Sequence, residues 1–269
     1  CVLVRQGNVV GEGFHLLAGQ DHPEANALAD AGTDARGSIA YVTLEPCSFH
    51  GRTPSCARAL IDAGVSKVVV AMLDPDERNA GKGVQILQQA GIEVVTPFMQ
   101  EAAQDLVEGH VSRHTKQRPF VRLKLAMTLD GKTALSNGES RWITSPESRA
   151  DVQKLRASSA AIVTGVQTVI DDDPRLSVRS EELKVEHAQL CADVGRPVYI
   201  LDSGLRVPET VQLMSVPSTV VVTISDRDAH LPVEVLRISA LENRVDIKAL
   251  LKELAAREHS EVLFECGPT

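Results

Sequence analysis

Short runs rich in β-branched residues alternate with helix-like segments along most of the chain. In the first part, a hairpin is predicted from "CVLV" and "NVVGEGF", and strands follow at "SIAYVTLEP", "SKVVVAML" and "IEVVTPF". The helix-like segments between these strands each close on a glycine, which is a common helix stop. Strands and helices that alternate at this spacing indicate an α/β layer with parallel strand pairs.

A polar, proline-containing stretch interrupts the pattern between Thr115 and Phe120. A second alternating series follows, with strands predicted at "FVRLKLA", "AAIVTG", "PVYILDS", "STVVVTI" and "EVLFECG". A helix over Pro146 to Ala157 has Ser145 as its predicted N-cap. We therefore predict two α/β domains, over residues 1–116 and 119–269.

The composition limits the classes of partner. The chain has 269 residues, 43% of them hydrophobic and only 3% aromatic, so its core must be aliphatic. The formal net charge of -8 argues against a nucleic-acid partner, because such proteins usually carry a basic face. A small phosphorylated substrate needs only one or two local cations. No apolar run approaches the roughly 20 residues of a membrane span, so we expect no membrane partner.

The cysteine count bears on the compartment. The chain has 5 cysteines, an odd and scattered set that does not resemble a disulfide framework. No secretory signal peptide is visible. We therefore expect a cytoplasmic protein. Because the chain begins at Cys1 and stops at "ECGPT", straight after a strand-like run, we also expect it to be part of a longer protein.

Two cysteines lie nine residues apart in "LEPCSFHGRTPSC", Cys47 after a predicted strand and Cys56 in the first turn of a helix predicted to open at "TP". His22 and Glu24 stand at the start of an earlier helix, in "HPEANAL". Thiolates near helix N-termini have lowered pKa values and bind metals well. One His and two Cys suit zinc and leave the fourth position for water, whose protons Glu24 would carry.

Other interpretations of the two cysteines are buried thiols, which are common, a disulfide, or a nucleophile with a His base. A lone His-x-Glu carries almost no information. Both halves of this pattern, however, stand at predicted helix starts beside a proline, and their order is right for a metal site. This combination favours zinc, and two cysteines with Glu24 fit the nucleophile scheme poorly.

These motifs resemble the deaminase half of the bifunctional deaminase–reductase of riboflavin biosynthesis, through "HPEANAL", "YVTLEPCSFHGRTPSC" and the later "DP" and "GKG". The long cysteine spacing is more specific to that family than the H-x-E…P-C-x-x-C signature of zinc base deaminases. The resemblance implies a cytidine-deaminase-like three-layer domain that hydrolytically deaminates 2,5-diamino-6-ribosylamino-4(3H)-pyrimidinone 5′-phosphate. It implies zinc on His22, Cys47 and Cys56, with Glu24 as the catalytic proton shuttle.

The second half resembles the reductase domain of the same family, through "RPFVRLKLAMTLDGKTA", "GESRWITS", "DDDPRLSVR" and "FECGPT". This implies a dihydrofolate-reductase-like domain, with its C-terminal part missing, that uses NADPH to reduce the ribosyl to the ribityl side chain. The family pattern places cofactor contacts at Ala126, Trp142, Thr168, Asp172, Ser203 and Gly267. It places substrate contacts at Ser140, Arg156, Leu176, Arg179 and Glu265.

The resemblance gives some of these residues a physical task. Gly267 would begin a loop whose N–H groups meet the cofactor pyrophosphate. Arg156 and Arg179 would clamp the substrate phosphate, because guanidinium binds phosphate bidentately. Lys124, predicted to face away from its apolar neighbours in the strand, is a further catalytic candidate.

Several residues keep two interpretations. Arg52 fits a substrate contact and a solvated loop charge equally well. Trp142 fits a cofactor contact or a packing anchor, and the "NAGKG" segment fits a substrate loop or a simple turn. Phe49 stands where many family members have His, and His50 is placed to substitute for it.

Two rival functions remain at this stage. One is a zinc deaminase of another base, with a separate nucleotide-binding domain. The other is not an enzyme but a structural zinc module joined to a nucleotide-binding regulatory domain. Such a module would need a fourth protein ligand from Glu24 or His15. The family resemblance also implies a homo-oligomer.

Overall fold

The computed structural model describes residues 1–269 with the exception of Ala18, Arg52, Thr53, Arg141, residues 184–187, Ala229, Pro268 and Thr269. The chain forms two compact units, Cys1–Thr115 and Lys116–Thr269, called here the first and second units. Both units are α/β, as predicted. Within the described residues, no helix has the length and apolar character that a membrane crossing requires.

The first unit contains a five-stranded sheet in the order β2-β1-β3-β4-β5. The strands are β1 (Val2–Arg5), β2 (Asn8–Glu12), β3 (Ile39–Val42), β4 (Lys67–Val70) and β5 (Glu93–Val95). β1 pairs antiparallel with β2 and β3, whereas β3, β4 and β5 are parallel. The predicted hairpin and parallel pairs are therefore confirmed.

The helices of this unit are α1 (Pro23–Ala31), α2 (Cys56–Ala63), α3 (Lys82–Gln89), α4 (Gln100–Leu106) and α5 (Glu108–Lys116). The prediction that α2 opens at Thr53-Pro54 is wrong, because Ser55 is the N-cap and Cys56 is the first helical residue. The single helix predicted over "AAQDLVEGHVSRHTK" is two helices, because the backbone leaves the helical region at Val107 (φ -127°).

The core of the first unit fixes where α1 begins. Buried aliphatic side chains from the sheet, α1, α2 and α3 form one cluster without an aromatic member, as the composition predicts. Two glycines let α1 lie directly against the end of β2. A Cβ on Gly11 would come 2.4 Å from the carbonyl oxygen of Ala27, and one on Gly13 would come 2.2 Å from that of Pro23. The start of α1 is thereby held close to the sheet.

The second unit contains a six-stranded parallel sheet in the order β10-β9-β8-β7-β13-β6. The strands are β6 (Phe120–Leu123), β7 (Ala161–Gly165), β8 (Val198–Leu201), β9 (Thr219–Thr223), β10 (Glu234–Arg237) and β13 (Glu261–Phe264). A small hairpin joins β11 (Ala240–Leu241) to β12 (Arg244–Val245). β10, β11 and β12 are absent from the sequence prediction.

Helices cover both faces of this sheet. They are α6 (Pro146–Ser158), α7 (Val166–Asp172), α8 (Ala188–Asp193) and α9 (Ile247–Ala256). The predicted cap of α6 is confirmed, because Oγ of Ser145 accepts from the N–H of Ser148 at 3.3 Å. One core cluster includes Leu250 of α9 and the other includes Val169 of α7. All six strands end at the same edge, where ligands of open α/β sheets bind.

Candidate functional sites

Three side chains meet where α1 begins, β3 has ended and α2 begins. Sγ of Cys47 lies 3.7 Å from Nδ1 of His22, and Sγ of Cys56 lies 3.3 Å from the same nitrogen. All three ligand atoms lie within 4.8 Å of one another. Zn–N and Zn–S bonds of about 2.0 and 2.3 Å at a tetrahedral angle would place N and S about 3.5 Å apart. The residues therefore fit a zinc ion.

The protonation of the two cysteines suits a metal site. They are free thiols, so no disulfide joins them. A hydrogen bond from the Cys56 side chain, helped by the backbone N–H of Cys56 and by His22, lowers the pKa of Cys47 to about 6 although burial opposes the shift. The same hydrogen bond, with burial and the charge of Glu24, raises the pKa of Cys56. The two pKa shifts have opposite directions because one hydrogen bond joins the two side chains.

Glu24 lies in the first turn of α1 and is only 6% exposed. It is close enough to Cys56 for its charge and a hydrogen bond to raise the pKa of that thiol. Neither Glu24 nor His15 belongs to the set of ligand atoms within 4.8 Å. Among the residues that the structure describes, the set of three leaves a fourth tetrahedral position without a protein ligand, which is typical of catalytic rather than structural zinc.

The loop between the two cysteines is partly described. The guanidinium of Arg78 lies over the ring of Phe49, 5.4 Å from its centroid. Nδ1 of His50 lies 3.2 Å from the carbonyl oxygen of Gly51. Arg52 lies outside the described residues, so its two interpretations stay open. The structure thus pairs Phe49 with a cation of the 74–81 loop.

Glu45 is a buried carboxylate to which the sequence analysis gave no role. It is 3% exposed and accepts backbone N–H groups from Asp74 (3.0 Å), Gly81 (2.8 Å) and Val84 (3.1 Å). Asn79 beside it is fully buried, so the "NAGKG" segment is more than a surface turn. The sequence signal for Glu45 was an acid between an apolar strand and the Pro-Cys pair.

In the second unit, three charged groups meet beyond β6 and β13. Nε and Nη2 of Arg156 donate to the two carboxylate oxygens of Glu265 at 2.6 and 3.0 Å. Nζ of Lys124 lies 3.8 Å from Oε2 of Glu265, whose side chain is 7% exposed. The Arg156 fork is therefore occupied by Glu265, and its Nη1 also donates to the carbonyl of Ser177 at 3.1 Å. A substrate phosphate would meet Arg156 only through its remaining N–H groups.

The other predicted substrate residues, Arg179, Leu176 and Ser140, each lie in different surroundings. Nη1 of Arg179 lies 2.8 Å from a carboxylate oxygen of Glu182. Leu176 is 6% exposed and its side chain belongs to the core, so it would offer backbone rather than side-chain contacts. Ser140 is exposed, and no contact joins it to the Arg156–Glu265 pair in the described part of the chain.

Four of the predicted cofactor residues follow four adjacent strands. Ser203 follows β8, Thr168 follows β7, Gly267 follows β13 and Ala126 follows β6. The N–H of Gly267 donates to Oγ1 of Thr168 at 3.0 Å, and a Cβ on this glycine would come 3.2 Å from that oxygen. The residues present fit a dinucleotide laid across the carboxyl ends of the strands.

The remaining points concern the predicted cofactor contacts Ala126, Trp142 and Asp172. The prediction that Ala126 ends the first strand of this unit is wrong, because β6 pairs with β13 only as far as Leu123. Trp142 is 71% exposed, and the guanidinium of Arg149 lies 4.3 Å from the centre of its ring system. Asp172 is the last residue of α7 and is exposed. Asp172 lies one helical turn after Thr168 in α7. Among the described residues, no hydrogen bond, ion pair or ring contact joins Trp142 to the Thr168–Gly267 pair.

Two family models match the chain. Residues 119–269 match the RibD C-terminal domain, and residues 1–72 match the cytidine and deoxycytidylate deaminase zinc-binding region. The riboflavin biosynthesis protein RibD of Haemophilus influenzae is 45% identical over 99% of this chain and 73% of its own length. The protein of the same name from Escherichia coli is 42% identical over 100% of this chain and 75% of its own length.

Solved structures agree with these matches. RibD of Acinetobacter baumannii superposes with a TM-score of 0.88 at 44% identity, over 99% of this chain and 73% of that one. A diaminohydroxyphosphoribosylaminopyrimidine deaminase/5-amino-6-(5-phosphoribosylamino)uracil reductase of Thermotoga maritima superposes with a TM-score of 0.84 at 33% identity. That match also covers 99% of this chain and 73% of the other.

Proposed function

The chain belongs to the RibD family of bifunctional riboflavin-biosynthesis enzymes, and from this premise we propose which of its residues carry the two reactions. It is a zinc-dependent deaminase and an NADPH-dependent reductase, with a cytidine-deaminase-like domain followed by a dihydrofolate-reductase-like domain. Its substrate is 2,5-diamino-6-ribosylamino-4(3H)-pyrimidinone 5′-phosphate, which is deaminated and then reduced.

In the deaminase domain, His22, Cys47 and Cys56 would hold zinc. When bound, zinc acidifies water at its open position to a pKa of about 7 and so supplies a nucleophile near neutral pH. Glu24 would take one proton from the attacking water and deliver it to a ring nitrogen. It would then take the second proton, from the new hydroxyl group, and pass it to the departing amine as the C–N bond breaks, so that one water is consumed and one ammonia released.

One observation carries this proposal. Two thiols and one imidazole nitrogen converge within 4.8 Å, and a buried carboxylate lies beside them without joining the ligand set. A structural zinc site would use that carboxylate or a fourth Cys or His as a ligand. A site with three ligands and a neighbouring base is instead suited to hydrolysis.

In the reductase domain, the sugar phosphate lies near Arg156, Arg179 and Lys124, and Glu265 keeps the Arg156 guanidinium in place. NADPH would be held along the strand ends by Ser203, Thr168, Gly267 and Ala126, with Trp142 and Asp172 as further contacts. When bound, it would supply the hydride that reduces C1 of the sugar in its open-chain imine form. Ser140 and Leu176 complete the substrate contacts.

The membership in this family also supports a proposal about partners and location. The protein takes a small phosphorylated pyrimidine, forms a homo-oligomer in the cytoplasm, and binds neither nucleic acid nor membrane. A zinc deaminase of another base remains the alternative. Ammonia release from cytidine or an oligonucleotide, without release from the diaminopyrimidine, would favour that alternative.

The experiment that tests the deaminase assignment is Glu24→Gln. We expect the variant to keep one zinc per chain and to release ammonia about 10²- to 10⁴-fold more slowly, since it loses its acid–base group. NADPH oxidation with the deaminated substrate should be unchanged. Glu101→Gln, on the exposed face of α4, is the matched control. Undiminished ammonia release by Glu24→Gln would show that the assignment is wrong.

A further inference from the structure

We propose that Glu45 and Asn79 are positioning residues that fix the backbone on both sides of the zinc ligand Cys47. This inference rests on the proposed function, because it takes Cys47 as a zinc ligand. The two residues, together with Gly83, are called here the clamp. None of them touches the three ligand atoms, so their effect on the metal must pass through the backbone of residues 46–48.

Glu45 holds the ligand loop against the start of α3. Its carboxylate is 3% exposed and forms no ion pair among the described residues. A buried charge of this kind is costly unless hydrogen bonds satisfy it. The N–H groups of Asp74, Gly81 and Val84 do so at 2.8 to 3.1 Å. Glu45 therefore ties together two segments that are about 30 to 40 residues away in sequence.

Asn79 holds the residue on each side of Cys47. Its Oδ1 accepts from the N–H of Ser48 at 2.9 Å, and its Nδ2 donates to the carbonyl oxygen of Pro46 at 3.4 Å. The same Nδ2 donates to Oδ2 of Asp74 at 3.2 Å. Asn79 is fully buried, so water cannot replace these bonds without a change of structure.

Gly83 brings α3 directly against the same loop. A Cβ at this position would come 2.0 Å from the carbonyl oxygen of Pro46 and 3.2 Å from Oε1 of Glu45. The first turn of α3 and the ligand loop are therefore in backbone contact. A methyl group here would push Pro46 away without removing any hydrogen-bonding group.

The first residue of the 74–81 loop, Asp74, is also anchored by groups outside the clamp. Oδ1 of Asp74 accepts from the N–H of Asp76 at 2.9 Å and lies 2.8 Å from Nε2 of His110 on α5. The clamp thus connects the Cys47 loop to a loop that is held at both ends. Groups that orient metal ligands from the second layer typically account for 10- to 100-fold in metal affinity.

The test compares zinc affinity with the stability of the metal-free protein. Zinc dissociation constants would be measured by competition with a chromophoric chelator, and thermal unfolding would be followed on the metal-free protein. We expect Asn79→Ala to weaken zinc binding about 10- to 100-fold and to change the visible spectrum of the cobalt-substituted protein. Asn8→Ala, at an exposed position on β2, should change neither.

Two further variants distinguish a loss of zinc affinity from a loss of folding. Glu45→Gln replaces an acceptor by a group with two donors. Gly83→Ala displaces chiefly the carbonyl group of Pro46 and crowds Glu45 less. Both variants should weaken zinc binding in the same range. If the variants lower the unfolding temperature of the metal-free protein but leave zinc affinity and the cobalt spectrum unchanged, the clamp is merely structural and the proposal is wrong. If the unchanged protein binds no zinc, the proposed function fails instead, and the clamp with it.

Discussion

The backbone N–H of Cys56 donates a hydrogen bond to Sγ of Cys47 across 3.2 Å. The first N–H groups of a helix have no partner within the helix, and here Sγ of Cys47 provides one. The carbonyl oxygen of Cys47 also accepts from the N–H of Ala57 at 3.2 Å and from Oγ of Ser55 at 2.8 Å. The loop between the cysteines therefore closes on itself, and the nine-residue spacing brings the second thiol beside the first.

The Ser55 side chain forms two hydrogen bonds at the start of α2, and Ser55→Ala should remove both. Its Oγ accepts from the N–H of Arg58 at 3.4 Å as the N-cap of α2, while its hydroxyl donates to Cys47. We expect Ser55→Ala to destabilise the first unit by about 1 kcal/mol. This corresponds to a melting temperature lower by about 4 °C. Ser158→Ala, near the C-terminal end of α6, is the control and should have a smaller effect on its own unit. Equal stability of Ser55→Ala and the unchanged protein would contradict the cap.

Cys56→Ser should remove zinc while leaving the reductase reaction intact. A serine hydroxyl is a much poorer zinc ligand than a thiolate, so only two protein ligands would remain. We expect less than one zinc per chain by elemental analysis and loss of ammonia release. NADPH oxidation with the deaminated substrate should persist, because the reductase residues lie in the other unit. Cys191→Ser should retain both reactions, and its loss of zinc would contradict the assignment.

The parts of the fold that were predictable are those encoded by local pattern. The β1–β2 hairpin, the parallel strands and the start of α1 at Pro23 follow from alternation, glycine stops and a proline at the first helical position. The start of α2 was misplaced because Thr53 and Ser55 are both good capping residues, and only tertiary contact with Cys47 selects Ser55. β11 and β12 have two residues each, too few for a periodic signal.

The parts of the sites that were not predictable depend on distant contacts. The Arg156–Glu265 pair joins residues 109 positions apart, so no local pattern shows that the Arg156 guanidinium is already occupied by a carboxylate. Glu45 likewise receives its hydrogen bonds from a segment that follows the next strand. The ligand set itself could be proposed from sequence, because helix starts and thiol chemistry are local properties. The residues that hold the ligand loop through hydrogen bonds, such as Glu45, are brought together only by tertiary packing.

Asp76 should make the first unit sensitive to acid. A bidentate hydrogen bond from Arg78 lowers the pKa of Asp76 from 3.8 to about 2. The folded carboxyl therefore binds protons less readily than the unfolded one, so its stabilising effect is complete above about pH 4. That effect is lost as the pH falls toward the folded pKa of Asp76.

The measurement is the melting temperature of Asp76→Asn at several pH values. Because the Arg78 side chain is 68% exposed, solvent screens the pair, and we expect a loss of about 1 kcal/mol at pH 7. The difference from the unchanged protein should shrink between pH 4 and pH 2. Asp62→Asn, an exposed position on α2, should show no such trend. A difference that stays constant down to pH 2 would contradict the role of this carboxylate.

Glu265→Gln should impair the reductase domain alone. The substitution removes the negative charge that pairs with the Arg156 guanidinium, and the Arg156 side chain is only 13% exposed. The same carboxylate lies 3.8 Å from Nζ of Lys124. Removing one partner of a buried ion pair costs about 3 to 5 kcal/mol, so the melting temperature of the second unit should fall by several degrees. NADPH oxidation should slow while ammonia release is unchanged. Glu261→Gln, at the start of β13, breaks a more exposed pair with Arg122 of β6 and is the matched control. Equal losses in the two variants would show that Glu265 has no special place in the site.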